Sequence, residues 1–199
     1  MTTNTTDFID DNDQTRARRE HLDKITELVG NAYPNKCRRS HVTSAAEGED
    51  TITAVVRLEQ INALVPQVAP GARPTPEQLE AANAELNKYE VRVAGRLAVP
   101  PRVMGKAAFV HLSDGVERLQ IYVRRDDVRE MNHAGRAVDG WELFGLLDHG
   151  DFIGVAGFLF LTKTGELSVH VREFQFLAKA LLPMPDKLHG INDPAIKST

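Results

Sequence analysis

The first 88 residues carry apolar side chains at the spacing of α-helices. Between Thr15 and Gly30 they recur every three or four residues, and Gly30 stands where a helix would end. Residues 50–65 repeat this spacing, and a segment with three prolines and a glycine, residues 66–74, interrupts it. Thr75, Pro76 and Gln78 then supply a capping hydroxyl, a proline for the first turn and a reciprocal acceptor. We therefore predict a third helix that runs to about Lys88.

At Val91 the period changes from that of a helix to that of a strand. Alternating segments predict five strands, at about residues 91–99, 107–113, 118–124, 152–162 and 167–176. Residues 126–148 separate the third strand from the fourth and are expected to form an irregular helix. This order predicts a mainly β fold, a five-stranded Greek-key barrel of the OB-fold type. An N-terminal helical extension and a helical insert between strands three and four complete it.

The division of the chain follows from these elements. Residues 1–14 contain four aspartates and no base, and are expected to form a disordered acidic tail. Residues 15–88 form the helical extension and linker, and residues 89–182 form the barrel. No apolar stretch approaches the ~20 residues that a membrane span requires, and the N-terminus is too polar for a secretory signal. A cytoplasmic protein without a membrane partner is expected.

Alternation also predicts which side chains point away from the barrel core. In the second strand Ala108, Val110 and Leu112 form the apolar set, and in the third strand Leu119, Ile121 and Val123 do. The opposite face then carries aromatic, amide, imidazole and arginine side chains: Arg92, Arg96, Phe109, His111, Gln120, Tyr122 and Arg124.

Such a face suits single-stranded nucleic acid. An exposed ring stacks on a base for ~1–3 kcal/mol, arginines follow the phosphates, and an amide such as Gln120 pairs with one base edge. The formal net charge is −4, yet residues 91–125 hold seven Lys/Arg and only Asp114 and Glu117 as acids. The alternative is that Phe109 or Tyr122 packs beneath the insert or the N-terminal helices.

Several runs of sequence resemble bacterial lysyl-tRNA synthetase, a class II aminoacyl-tRNA synthetase. They occur in family order and cover roughly residues 16–194: Tyr33-Pro34 with Arg38–His41, VRVAGR at 91–96, MGKA at 104–107 before Phe109, LQIYV at 119–123 with Arg125-Asp126, TKTGELS at 162–168 and LAKALLPMPDKLHG at 177–190. Each run alone is weak, and together they are specific.

The resemblance implies an N-terminal anticodon-binding domain with an OB-fold. In that family the middle anticodon base, a uridine, stacks on a phenylalanine and is read by a glutamine and an arginine, which correspond here to Phe109, Gln120 and Arg102. Glu166, in the turn between strands four and five, is a further candidate for contact with the anticodon. The alternation of inward and outward positions along the strands selects Phe109 and Gln120 independently of the resemblance. It does not select Arg102, which follows Pro100-Pro101.

The same resemblance implies that residues 183–199 are a hinge toward a catalytic domain that this sequence does not include. ATP and magnesium would belong to that domain, so no cofactor is expected in this chain, which should not aminoacylate tRNA alone. The full-length enzyme could be a homodimer. Two other classes remain open: a stand-alone OB module that binds single strands or a protein, and a dimerisation or scaffold piece.

Other chemistry receives little support from the sequence. The seven histidines show no spacing typical of a zinc site. Cys37 and His41 could suggest a thiol–imidazole pair, although a packed, inert thiol is the simpler interpretation. The pairs Asp126/Asp127 and Asp148/Asp151 are more typical of helix caps and turns than of catalytic carboxylates.

Overall fold

The computed structural model describes residues 12–34, 36–42 and 49–182. Within these residues the helices are α1 Asp13–Val29, α2 Ile52–Arg57, α3 Glu59–Asn62, α4 Pro76–Leu86, α5 Arg125–Val128 and α6 Gly140–Gly145. The strands are β1 Glu90–Leu97, β2 Arg102–Met104, β3 Ala107–Ser113, β4 Arg118–Arg124, β5 Met131–His133, β6 Arg136–Val138, β7 Phe152–Leu161 and β8 Leu167–Ala178. Residues 1–11 of the predicted acidic tail and the whole predicted hinge lie outside the described residues. Asn12, Asp13 and Gln14 depart from the predicted tail, because Asn12 caps α1 and Asp13 and Gln14 form its first turn.

Five strands close into a barrel in the order β1–β7–β8–β4–β3. Strand β1 pairs antiparallel with β7 along its length and closes on β3 through Arg96–Ser113 and Leu97–Leu112. Strands β4 and β8 pair in parallel, and the other pairings are antiparallel. The short strand β2 extends the edge beside β3. The predicted mainly β, five-stranded OB-type barrel with an N-terminal helix is thereby confirmed.

The barrel core consists of the residues that alternation places inward. The apolar sets of β3 and β4 are at most 2% exposed, and Val91, Val93 and Leu97 of β1 are buried with them. Gly95 permits the closure, because a Cβ there would lie 2.6 Å from Ile52 of α2 and 2.9 Å from the Ser113 carbonyl oxygen. Burial of this apolar surface is the main driving force for barrel formation.

The helical extension follows the predicted caps with one correction. Helix α4 begins with the capping box of Thr75 and Gln78 and ends at Leu86. The predicted helical face at residues 50–65 is divided at Leu58, whose backbone is extended. A continuous helix would turn Ile61 about 180° away from Ile52. The break lets both side chains reach the core, where each is fully buried.

The insert between β4 and β7 is not the irregular helix that the sequence suggested. It contains the short helices α5 and α6 with the hairpin β5–β6 between them. The two turn residues Ala134 and Gly135 both have positive φ, at 53° and 93°, as a two-residue hairpin turn of the primed type requires. Asn132 stabilises this turn by accepting the Gly135 N–H at 2.7 Å.

A buried ion cluster fastens α1 to the barrel. The Lys179 ammonium, fully buried, donates to Asp148 and, at 2.8 Å, to Asp151, and His21 of α1 lies 2.9 Å from Asp148. Burial opposes ionisation of Asp148, but hydrogen bonds and charge from Lys179 and His21 outweigh it and lower its pKa. Arg18 adds hydrogen bonds to the His149 and Ala180 carbonyl oxygens. Helix α1 therefore packs against the barrel through paired charges as well as apolar contacts.

Candidate nucleic-acid interface

A cavity of about 660 Å³ lies on the outer face of β3 and β4. Strand β2 and the β7–β8 turn border this outer cavity, which is lined by Val99, Pro100, Arg102, Met104, Phe109, Val110, His111, Gln120, Tyr122, Phe160, Thr162, Lys163, Thr164 and Glu166. Six of the nine predicted site residues are in this lining. The barrel thus gathers side chains that lie up to 64 positions apart, between Arg102 and Glu166, around one space.

Aromatic rings form one wall of the outer cavity. Phe109 and Tyr122 face each other across β3 and β4, with ring centroids 4.7 Å apart. Tyr122 also lies 5.8 Å from Phe160 and 5.1 Å from His170, in an edge-to-face contact with the latter. The rings of Phe109, Tyr122 and Phe160 are half-buried, and all three line the outer cavity. The residues that line the outer cavity come from the barrel strands and their connections, which differs from the alternative in which Phe109 or Tyr122 packs beneath the insert or the N-terminal helices.

A network of hydrogen bonds forms the polar wall. His111 and Gln120 stand opposite each other in the β3–β4 register, and both contact the Glu166 carboxylate. The distances are 2.7 Å from His111 Nε2 and 2.9 Å from Gln120 Nε2. On its other side, Gln120 Oε1 accepts the hydroxyl of buried Ser168 at 2.9 Å. The amide is therefore held in place and still has capacity for a ligand.

Arg102 reaches the outer cavity from β2. Arg102 stands opposite Phe109 in the β2–β3 register, so the two side chains lie on the same face of the sheet. Sequence parity did not identify this position, because Pro100-Pro101 separates β2 from β1. Arg102 and Lys163 are exposed cations on the rim, and Glu166 is the carboxylate among the lining residues. The rim thus carries positive charge of the kind that attracts phosphate, and the polar wall carries directed hydrogen-bonding groups.

Three predicted site residues lie outside the outer cavity. Arg92 is on the outer face of β1 and approaches Glu173 at 3.4 Å. Arg96 stacks over the ring of Phe152, with 4.7 Å from its Cζ to the ring centroid. Arg124, at the end of β4, approaches Asp127 at 3.8 Å. The outer face of a closed barrel points in all directions, so an outward position on a strand does not by itself place a side chain at the outer cavity.

The structure adds residues that sequence reasoning did not select. Phe160, Lys163 and Thr164 line the outer cavity, and Ser168 and His170 support it from β8. Alternation along β7 could have identified Phe160, because Leu159 and Leu161 are the buried neighbours. Parity in β8 is less informative, since the register shifts between Ala156 and Gly157 of the partner strand.

Cys37 packs against the barrel away from this cavity. Its Sγ lies above Gly154, where an added Cβ would stand only 2.5 Å from the sulfur. Burial raises the pKa of the thiol, more than neighbouring Arg92 and Arg39 lower it. A raised pKa reduces the thiolate fraction at neutral pH, which agrees with a structural cysteine. Across residues 12–34, 36–42 and 49–182 there is no cluster of three His, Cys, Asp or Glu suited to a metal ion.

Comparison with known families agrees with this geometry. Residues 91–177 match the tRNA anticodon family, described as an OB-fold nucleic acid binding domain. The barrel therefore has the OB-fold, and its sequence is similar to this family of nucleic acid binding domains. In the part of the chain that the structure describes, no helix has the length and apolar character to cross a membrane.

Over nearly its whole length the chain is homologous to lysine–tRNA ligases, the lysyl-tRNA synthetases, and the predicted resemblance is confirmed. It is 40% identical to the lysine–tRNA ligase of Yersinia enterocolitica serotype O:8 over 182 residues, which are 92% of this chain and 29% of that relative. It is 39% identical to the Escherichia coli K12 ligase over 93% of the chain. Identity to the heat-inducible ligase of the same strain is 37% over 95%. The chain spans about 30% of the length of these relatives.

Proposed function

We propose that the outer cavity binds the anticodon of a lysine tRNA and reads its middle base, a uridine. One observation carries this proposal: Phe109, Gln120 and Arg102, from three different strands, line a single cavity. In this proposal the base stacks on Phe109, supported by Tyr122. Gln120 donates and accepts hydrogen bonds at the base edge, and Arg102 donates to it. His111 and Glu166 border the same space.

The arginines outside the outer cavity have a different proposed part. Arg124 continues β4 beyond Tyr122, and Arg92 and Arg96 lie on the side of β1. Exposed arginines contact phosphates without regard to sequence, so these residues would add affinity only if the RNA extends beyond the anticodon loop.

The wider activity belongs to the same proposal. Relatives named lysine–tRNA ligase share about 40% identity with nearly the whole chain, and the chain corresponds to under a third of their length. We infer that the barrel serves tRNA recognition within such a ligase. Catalysis, ATP, magnesium and a homodimer interface would be supplied by segments other than this barrel.

The test is a titration of the full chain with two anticodon stem-loops. One carries three uridines in the anticodon, and the other has adenosine in place of the middle uridine. We expect about tenfold tighter binding of the first, and we expect Gln120→Ala to abolish that difference, since a lost hydrogen-bonding pair is worth about 0.5–1.5 kcal/mol. Gln175→Ala is the matched control, because Gln175 donates to Lys36 on another face.

Equal binding of both stem-loops by the unaltered chain would contradict reading of the middle base. Binding of any single strand with no base preference would instead favour the second class, a general OB module. No binding to either RNA would contradict nucleic-acid recognition by the isolated chain.

A further inference from the structure

The amide of Gln120 is held from two sides in one orientation. Its Nε2 donates to Glu166 Oε2 at 2.9 Å, and its Oε1 accepts from Ser168 Oγ at 2.9 Å. Ser168 is fully buried on β8, directly beside Gln120 in the parallel β4–β8 register. A carboxylate only accepts hydrogen bonds, so the side of the amide that faces Glu166 must be the NH₂ group.

The Glu166 carboxylate is itself held in position. His111 Nε2 lies 2.7 Å from its second oxygen, and the Glu166 N–H donates to Thr162 Oγ1 at 3.1 Å. The Thr162 N–H in turn donates to the Glu166 carbonyl at 3.0 Å. The group that fixes Gln120 is thus anchored through both the turn backbone and the neighbouring strand. A rotated Gln120 would place its carbonyl oxygen against this carboxylate, which is unfavourable.

We propose that Glu166 and Ser168 are positioning residues that make the outer cavity prefer uracil to cytosine. This inference rests on the proposed function. With one N–H donated to Glu166 and one lone pair accepting from Ser168, the Gln120 amide has one N–H and one carbonyl lone pair left for a ligand. Because the amide is fixed, the positions of this donor and this acceptor are fixed too. Uracil offers an N–H beside a carbonyl oxygen on its pairing edge, whereas cytosine offers a ring acceptor beside an amino group. The two patterns are reversed, so an amide fixed for one base must rotate to fit the other.

The test compares variants of the 199-residue chain on two stem-loops that differ only in uridine or cytidine at the middle position. The unaltered chain should prefer uridine by about tenfold, within the range expected for a directed pair of hydrogen bonds. Ser168→Ala and Glu166→Gln should each reduce this preference to about threefold or less, because the amide can then rotate. Tighter binding of the cytidine RNA should account for part of the reduction.

The matched controls are Ser113→Ala and Glu85→Gln. The Ser113 hydroxyl accepts a hydrogen bond from the Gly115 N–H in another turn. Glu85, on α4, pairs with Lys88 just beyond the end of that helix. Neither control residue has a hydrogen bond to the Gln120 network in these contacts. Thermal unfolding of every variant separates a loss of preference from a loss of folding.

The outcomes distinguish the two proposals. A uridine preference in the unaltered chain that persists in Ser168→Ala and Glu166→Gln overturns the positioning role and leaves the proposed function standing. An unaltered chain without any preference at the middle base contradicts the proposed function, and the positioning role with it. A uniform loss of affinity for both RNAs, with the ratio unchanged, would show that the two residues are merely structural.

Discussion

At the scale of single residues, we expect Phe109 in the aromatic wall to contribute both to protein stability and to the proposed base binding. Phe109 gives one face to Tyr122, with 4.7 Å between centroids, and also lines the outer cavity. A ring in such a position contributes to folding through its contact with Tyr122 and to binding through its remaining surface. The two contributions can be separated by comparison with a second half-buried phenylalanine that contributes to folding but does not line the outer cavity.

Phe158 is that second phenylalanine, and it makes Phe109→Ala interpretable. Phe158 is also half-buried on the outer face and packs against His170 and Arg172, but it does not line the outer cavity. Both alanine variants should lose similar thermal stability. Only Phe109→Ala should weaken binding of the uridine stem-loop, by about 1–3 kcal/mol of lost stacking. If titration shows equal affinity losses, or none for Phe109→Ala, the ring serves only folding.

At the scale of elements, the bulge between β7 and β8 fixes how the barrel curves. Gly157 lies at the register shift, and a Cβ there would stand 1.9 Å from the His170 carbonyl oxygen. Backbone atoms cannot move aside without separating the strands. The glycine is therefore required by close approach of two backbones, which is a common reason for glycine inside a strand.

Gly157→Ala should consequently destabilise the protein by at least the ~1–3 kcal/mol typical of overpacking. Gly145→Ala provides the comparison, because Gly145 is an exposed residue of α6 with no atom within 4 Å of an added Cβ. Alanine has the higher helix propensity, so this change should be neutral or slightly stabilising. Chemical denaturation of both variants measures the contrast, and a neutral Gly157→Ala would show that the two strands can separate there at little cost.

The attachment of α1 to the barrel predicts a dependence on pH. The pKa of Asp148 is lowered in the folded protein, so its contribution to stability is present above the ordinary aspartate pKa of ~3.9 and is lost as the pH falls below it. Asp148→Asn should therefore lower the free energy of unfolding at pH 7, by about 1.5–3 kcal/mol for hydrogen bonds to charged groups. The difference from the unaltered chain should shrink below about pH 4.

Asp23→Asn is the control for this titration, since Asp23 is an exposed aspartate of the same helix. Denaturation curves between pH 7 and pH 3 supply the measurement. A deficit for Asp148→Asn that stays constant across this range would show that the carboxylate charge does not secure α1.

The sequence predicts the barrel better than the insert, for a physical reason. Each barrel strand buries one face, so Val110 and Ile121 occupy positions that alternation alone identifies. The insert buries apolar residues from four short elements, and their spacing follows no single period. Only part of the outer cavity can be predicted from the sequence. Strand alternation identifies Phe109 and Gln120, whereas the contact of Ser168 with Gln120 depends on the parallel pairing of β4 and β8, which alternation does not predict.

At the scale of the whole molecule, the proposed function requires a chain whose formal net charge is −4 to attract RNA. Two exposed cations and one carboxylate, that of Glu166, are among the residues that line the outer cavity. Arg102 and Lys163 line that cavity, and Lys106 and Arg124 are exposed near it, in the turn and at the strand end next to Phe109 and Tyr122. Local potential rather than net charge governs the encounter with phosphates.

The positions of these cations predict which of them contribute to the salt dependence of RNA affinity. The logarithm of the affinity for the stem-loop should fall linearly with the logarithm of salt concentration, by about 0.7 for each phosphate contacted in a single strand. Lys163→Ala should reduce the slope by about one contact and leave the preference for the middle base unchanged, since a phosphate contact carries no sequence information. Lys88→Ala removes an exposed cation that pairs with Glu85 of α4, and it should leave the slope unchanged.

Arg92→Ala then locates the RNA: an unchanged slope confines it to the outer cavity, whereas a reduced slope extends its path to the side of β1. A Lys163→Ala variant with an unaltered slope would place the phosphates away from the β7–β8 turn and contradict this binding mode.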